Sequence, residues 1–265
     1  MTARPFELAA IGGPWGRRLA PRRAWVDELP WDERLPDAAD AARVVWTRTA
    51  FSEYGSAAAF ADVAAAFLAA GAPIDLVAAA GDFVVDEIVH TEVAARIAGA
   101  LGGAVALDVD LDRLVRPAEA GDPLVRAAEL VVRTSCVGEA LTVPVLKVSR
   151  RVAGSALVDA ALRRIVADEA SHAELGGWFL DLAEPRLDDA ARAHLGRVAG
   201  AAVRAFAPLL GGGACGPSGL GALACADYDA AFAEAATRRV AEPLAARGIT
   251  IPEDDLAAVL GPARA

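Results

Sequence analysis

The sequence predicts an all-α protein. Alanine dominates, with Val and Leu next, while aromatic residues make up only 6 % of 265 positions. That composition suits long close-packed helices better than sheets, whose interiors prefer β-branched and aromatic side chains. Long apolar stretches also recur with helical period, separated by Pro, Gly and Asp where helices start and stop. With 55 % apolar residues, the chain has ample material for a buried core.

The elements follow in order. Residues 1–40 form a Pro-rich arm holding Trp15, Trp25 and Trp31, aromatic anchors that predict docking on the rest of the chain. A first helix is expected over 41–70, capped by Asp40 and stopped at Gly71. A second opens at Pro73 and ends at Gly102 and Gly103, which makes an antiparallel hairpin. Residues 102–121 read as a long connection. At up to about 3.3 Å per residue it can cross the length of a helix, so the second and third helices are expected to run parallel. Asp122 and Pro123 open the third helix, with a kink expected at Pro144 and an end at Gly154 and Ser155. The fourth spans 156–184, before Pro185. A fifth helix over 188–210, a Gly-rich loop over 211–221 and a sixth helix over 227–246 complete the chain. The expected organisation is an arm (1–40), a helical bundle (41–185) and further helices of the same domain (186–265).

A net charge of −10 repels phosphate backbones and disfavours a nucleic-acid partner. Arg17, Arg18, Arg22 and Arg23 in the arm read as a solvated or packing face. No apolar run suits a membrane span or a signal peptide, so neither is expected. Cys136, Cys215 and Cys225 form no CxxC pair, and their odd number argues against a disulfide framework, so a cytoplasmic home is expected.

The chemistry lies in a repeated word, Asp86-Glu87-Ile88-Val89-His90 and Asp168-Glu169-Ala170-Ser171-His172, which uses two of only three histidines. Residues three apart share a helix face, so each word offers a carboxylate and an imidazole to one point. A single Glu precedes each word at similar separation, Glu53 before Glu87 and Glu139 before Glu169. At about 1.5 Å per residue, the members of each hairpin fall at matching heights, about 20 to 26 Å from the turn. Four buried carboxylates without a cation would be costly, which favours a metal centre. His194 lacks such a context, Cys136 reads as a packing residue, and Tyr54 points to a different face from Glu53.

Two Glu-x-x-His helices and two single-Glu helices resemble the ferritin-like di-iron carboxylate superfamily over residues 41–185. That resemblance implies a four-helix bundle with a long crossover between its second and third helices. It makes Glu53, Glu87, His90, Glu139, Glu169 and His172 the ligands of two Fe ions, with Mn as the alternative. Glu87 and Glu169 would bridge. Asp86 and Asp168 would support the histidine of the opposite word, Asp86 with His172 and Asp168 with His90. Neither word has a tyrosine one turn later; Ala94 and Gly176 stand there, unlike the radical-storing ribonucleotide reductase subunit.

The resemblance implies O2 chemistry, and the added arm, helices and loop favour an oxygenase or oxidase acting on a small organic substrate by hydroxylation, N-oxygenation or desaturation. Ala50, Ala57, Ser135 and Thr142, with Phe60, Phe83, Leu146 and Phe179 beyond, could line an apolar pocket, though small residues at helix contacts more often permit close packing. An external donor, ferredoxin-like or a reductase, would supply electrons, since no rubredoxin-like CxxC module or flavin fingerprint is present. A homodimer is allowed. Iron oxidation and storage, or a di-manganese catalase, are the alternatives.

Overall fold

A computed structural model describes residues 4–10, 12–35, 40–212, 215–216 and 219–260. They form ten α-helices: α1 Gly13–Asp27, α2 Asp40–Ala70, α3 Ile74–Ala100, α4 Pro123–Val131, α5 Ala140–Arg151, α6 Ala156–Ala183, α7 Asp189–Ala205, α8 Cys225–Ala235, α9 Glu242–Ala245 and α10 Glu253–Leu260. Two π-helical segments interrupt them, Val132–Glu139 between α4 and α5, and Ala236–Ala241 between α8 and α9. The only strands among the described residues are β1 (Arg4–Pro5) and β2 (Asp108–Val109), an antiparallel pair with Arg4 opposite Val109. No helix among them is long and apolar enough to cross a membrane.

Local chemistry sets the boundaries. Gly71, at φ 67°, adopts the left-handed conformation that ends α2 and lets Ala72 donate back to the Phe67 carbonyl. The Asp122 carboxylate accepts from Leu124 and Val125 at the start of α4, and Ser155 accepts from Val158 at the start of α6. Glu33 in the arm reinforces that second cap by accepting from the Leu157 and Ala156 amides and the Ser155 hydroxyl.

Two apolar clusters fix the direction of each helix. One gathers Phe60 and Phe67 from α2, Leu76 and Phe83 from α3, Leu124 and Leu130 from α4, and Phe179 and Leu180 from α6. The other gathers Ala42 and Trp46 from α2, Val93 and Ile97 from α3, and Leu157 and Ile165 from α6, with Leu146 of α5 against it. The end of α2 thus lies with the starts of α3 and α4 and the end of α6. α3 and α4 therefore run parallel, and residues 102–121 travel the length of the structure between them. The candidate ligands lie between the two clusters.

Glu129 ties this crossover down. Its buried carboxylate accepts from the Glu119 and Ala120 amides at 2.9 and 3.0 Å and lies 3.1 Å from His194 Nε2. Burial raises its pKa, but His194 and the two amides outweigh burial and hold it below the ordinary value. The third histidine is thus structural, joining α7 to α4. Glu129→Ala would orphan three donors at once and is expected to cost about 3 kcal/mol of stability, read as a lowered urea midpoint.

Several expectations are corrected. Within the arm, residues from Gly13 form α1, where Pro14 suits a first turn. Trp31 donates to the Val26 carbonyl at 2.6 Å and stacks under Arg96, while the Trp15 side chain lies outside the described residues. The rod continues through Pro144 inside α5, and its departure from α geometry is the π segment before it. The fifth helix ends at Ala205, and α10 was not expected. Cys215 and Cys225 form a disulfide, with their Cα atoms 4.9 Å apart, contrary to the expectation from an odd cysteine count; Cys136 stays free. Within the Gly-rich loop Gly221, at φ 97°, lies against Trp46, where a Cβ would come 2.7 Å from the ring; Trp46 donates to the Leu220 carbonyl.

Candidate metal centre

The six ligand candidates come from four rods. α2 supplies Glu53, α3 supplies Glu87 and His90, the π segment Val132–Glu139 supplies Glu139, and α6 supplies Glu169 and His172. All are buried: Glu87, His90 and His172 show no exposure, and Glu53, the most exposed, only 9 %.

The two histidines are arranged alike. His172 Nδ1 lies 3.0 Å from Glu87 and 2.8 Å from Glu169; His90 Nδ1 lies 3.0 Å from Glu169 and 3.7 Å from Glu87. Both Nδ1 atoms therefore converge on the same two carboxylates. The opposite ring nitrogens face the aspartates crosswise, His90 Nε2 at 3.3 Å from Asp168 and His172 Nε2 at 3.6 Å from Asp86. This is the crossed pairing that the resemblance implies.

The structure brings ligand atoms of Glu53, Glu87, His90 and Glu169 within 4.8 Å of one another, a group that could hold a metal ion. His172 touches it through Glu87 and Glu169. Glu139 stands further off. It is buried and lies within electrostatic reach of Glu169, Glu87 and His172, but no hydrogen bond or ion pair among the described residues holds it.

The polar atoms left over test the fit of a cation. Both Glu87 oxygens, His90 Nδ1 and His172 Nε2 are buried without a hydrogen-bond partner: His90 Nδ1 lies 3.7 Å from Glu87 and His172 Nε2 3.6 Å from Asp86, while the 3.0 Å contacts of His172 Nδ1 with Glu87 and of His90 Nδ1 with Glu169 are misaligned for donation. Buried acceptors are rarely left so, and an acceptor-only carboxylate facing an imidazole Nδ1 is a donor set for a divalent cation.

Without a cation, protons must supply the positive charge. Burial, then repulsion from Glu87 and Glu169, pushes Glu53 well above the usual carboxylate range; burial and the same two charges do so for Glu139. Burial works against a charged imidazole. The nearby carboxylates of Asp168, Glu169 and Glu87 nevertheless raise His90 well above its ordinary value, and those of Asp86, Glu169 and Glu87 push His172 up to about 12. Burial also opposes a charged Glu169, but both histidines outweigh it and hold its pKa low. Metal and protons therefore compete. A divalent ion must displace protons from these raised groups, so its affinity is expected to rise with pH across the neutral range. Titrations in buffers of different ionisation enthalpy check this by the protons released; pH-independent affinity would contradict it.

The π segment and α6 approach unusually closely. A Cβ on Gly176 would meet Cys136 Sγ at 2.3 Å and Ser135 Cβ at 3.1 Å, so only glycine fits. Ser135 is buried with an unpartnered hydroxyl. Burial pushes the Cys136 thiol up to about 12, which agrees with a packing role. Tyr54 packs on Phe6.

Arg22 and Arg164 escaped sequence reasoning. Arg164 Nε donates to Asp168 at 3.0 Å, and Arg22 forks between Asp82 and Asp86. Arg164 stands four residues before Asp168, a spacing that carried the signal; Arg22 has no local signal. The small and aromatic residues beside the ligands serve close packing: Ala50, Ala57, Phe60, Phe83 and Phe179 are buried, and the Phe83 and Phe60 rings lie 4.2 and 5.2 Å from His172. A cleft of about 950 Å³ lies elsewhere, between α5, α6 and the C-terminal helices, with Cys136, Ala140, Ala173, Trp178, Arg238 and Arg239 on its walls.

Compared with protein-family models, curated proteins and solved structures, the chain finds no match.

Proposed function

We propose that this chain is a non-haem di-iron oxidoreductase of ferritin-like type, an oxygenase or oxidase that uses O2 on a small organic substrate. The observation that carries this reading is the convergence of both histidine Nδ1 atoms on Glu87 and Glu169, with an aspartate behind each opposite nitrogen. Glu87 and Glu169 would bridge two ions. His90 and His172 would bind through Nδ1, while Glu53 and Glu139 would complete the set. Four carboxylates and two imidazoles suit Fe(II), with Mn(II) as the alternative, and select against soft metals. The bound pair would supply the electrons and Lewis acidity for O2 reduction.

The chain's own residues do the rest. Asp86 and Asp168 fix the imidazole orientation, leaving each Nδ1 lone pair for the metal. Phe60 and Phe83 exclude water from the His172 side. The cleft between α5, α6 and the C-terminal helices, with Ala140 and Ala173 on its walls, would be the place for a separate small substrate. Electrons would come from an external donor, ferredoxin-like or a reductase.

Anaerobic reconstitution with Fe(II) tests the reading. Two ions per chain, oxidised by O2 in a small oligomer such as a homodimer, support it. A large hollow assembly accumulating iron would favour storage instead, and peroxide dismutation by a two-manganese form would favour a catalase. Failure to take up metal would overturn all three.

A further inference from the structure

Helix α1 lies outside the four rods that carry the ligand candidates, yet it reaches both aspartates behind the histidines. Arg22 bridges Asp82 and Asp86 on successive turns of α3, and Asp86 faces His172. Burial alone would raise the Asp86 pKa; His172 and Arg22 hold it below the ordinary value. On the other side the Arg164 guanidinium, which holds Asp168 against His90, lies 5.7 Å from the Trp25 ring, within cation–π range. Two chains of contact therefore run from one helix to the two imidazoles, Arg22–Asp86–His172 and Trp25–Arg164–Asp168–His90. They are unequal. Arg164 belongs to the same helix as Asp168, whereas Asp86 draws its cation only from α1 among the contacts described.

We infer that α1 is a working part of the metal centre, with Arg22 as the positioning residue for the His172 half. The inference rests on the di-metal reading above. A carboxylate orients an imidazole well only if it is itself held. Arg22 supplies that hold with a planar fork spanning two carboxylates, a geometry that a lysine cannot reproduce. Without it Asp86 can turn toward solvent, and His172 loses the carboxylate that faces its Nε2 at 3.6 Å and on metal loading would close on it to aim Nδ1 at Glu87 and Glu169. The neighbouring Arg23 provides an internal control, because it docks the same helix through Glu92 and makes no described contact with Asp86 or Asp168.

The full-length protein is titrated with Mn(II) alone by calorimetry, and its Co(II) form is examined by ligand-field absorption. Wild type is expected to bind two ions. Arg22→Gln should weaken one of them about tenfold and shift one component of the Co(II) spectrum. Arg22→Lys should fall between the two, and Arg23→Gln should stay within about twofold of wild type in both measurements. Two ions bound by Arg22→Gln as tightly as by wild type would overturn the inference and spare the di-metal reading. Equal losses in Arg22→Gln and Arg23→Gln would also overturn it, since docking alone would then explain them. A wild type that takes up no ion would overturn both.

Discussion

Glu87→Ala is expected to abolish binding of both ions while leaving the metal-free protein folded. Glu87 sits between the two histidines, 3.0 Å from His172 Nδ1 and 3.7 Å from His90 Nδ1, and both of its oxygens are buried without a donor. On the di-metal reading its removal would take a shared ligand from each ion at once, so affinity should fall by at least about a hundredfold, the upper range for losing even a supporting partner. Stability should move the other way in the less disruptive Glu87→Gln variant. A buried carboxylate among other carboxylates is unfavourable without its cation, so the neutral isostere should leave the metal-free melting temperature unchanged or raised. Calorimetry with Mn(II) and thermal melts in chelator read the two effects separately. Equal loss of both would mark Glu87 as an ordinary structural group.

Gly176→Ala is expected to have the next largest effect. The added methyl would overlap Cys136 Sγ and press on Ser135 and the Cys136 amide, at 3.1 and 3.2 Å. Ser135 is fully buried, so the π segment must retreat from α6. Overpacking of this kind costs about 1 to 3 kcal/mol. The functional cost should be larger than that suggests, because Glu139 ends the same segment and would move with it. Cys136→Ala removes the worst overlap, and the double variant Cys136→Ala/Gly176→Ala should regain much of the lost stability and metal binding. A double-mutant cycle reads this coupling; strict additivity would argue against the close approach.

How far the sequence is legible depends on the range of the interaction involved. The two Asp-Glu-x-x-His words are local, and helical spacing alone puts Glu87 beside His90 and Glu169 beside His172. Matching heights place Glu53 near Glu87, and the long stretch 102–121 makes α3 and α4 parallel, because chain length constrains both. The π segment was not legible, since one extra residue per turn leaves no mark in composition or periodicity. Arg22 was read as part of a solvated or packing face because its partners, Asp82 and Asp86, belong to a distant helix. The pairing of Cys215 with Cys225 likewise depends on the approach of two points ten residues apart, which spacing alone does not fix.

The most direct measurement is anomalous diffraction from crystals grown with Mn(II) or with Fe(II) under anaerobic conditions. Two peaks are expected between Glu87 and Glu169, one bound by His90 Nδ1 and the other by His172 Nδ1. Absence of density there after soaking, or a single ion held only by exposed carboxylates, would contradict the account.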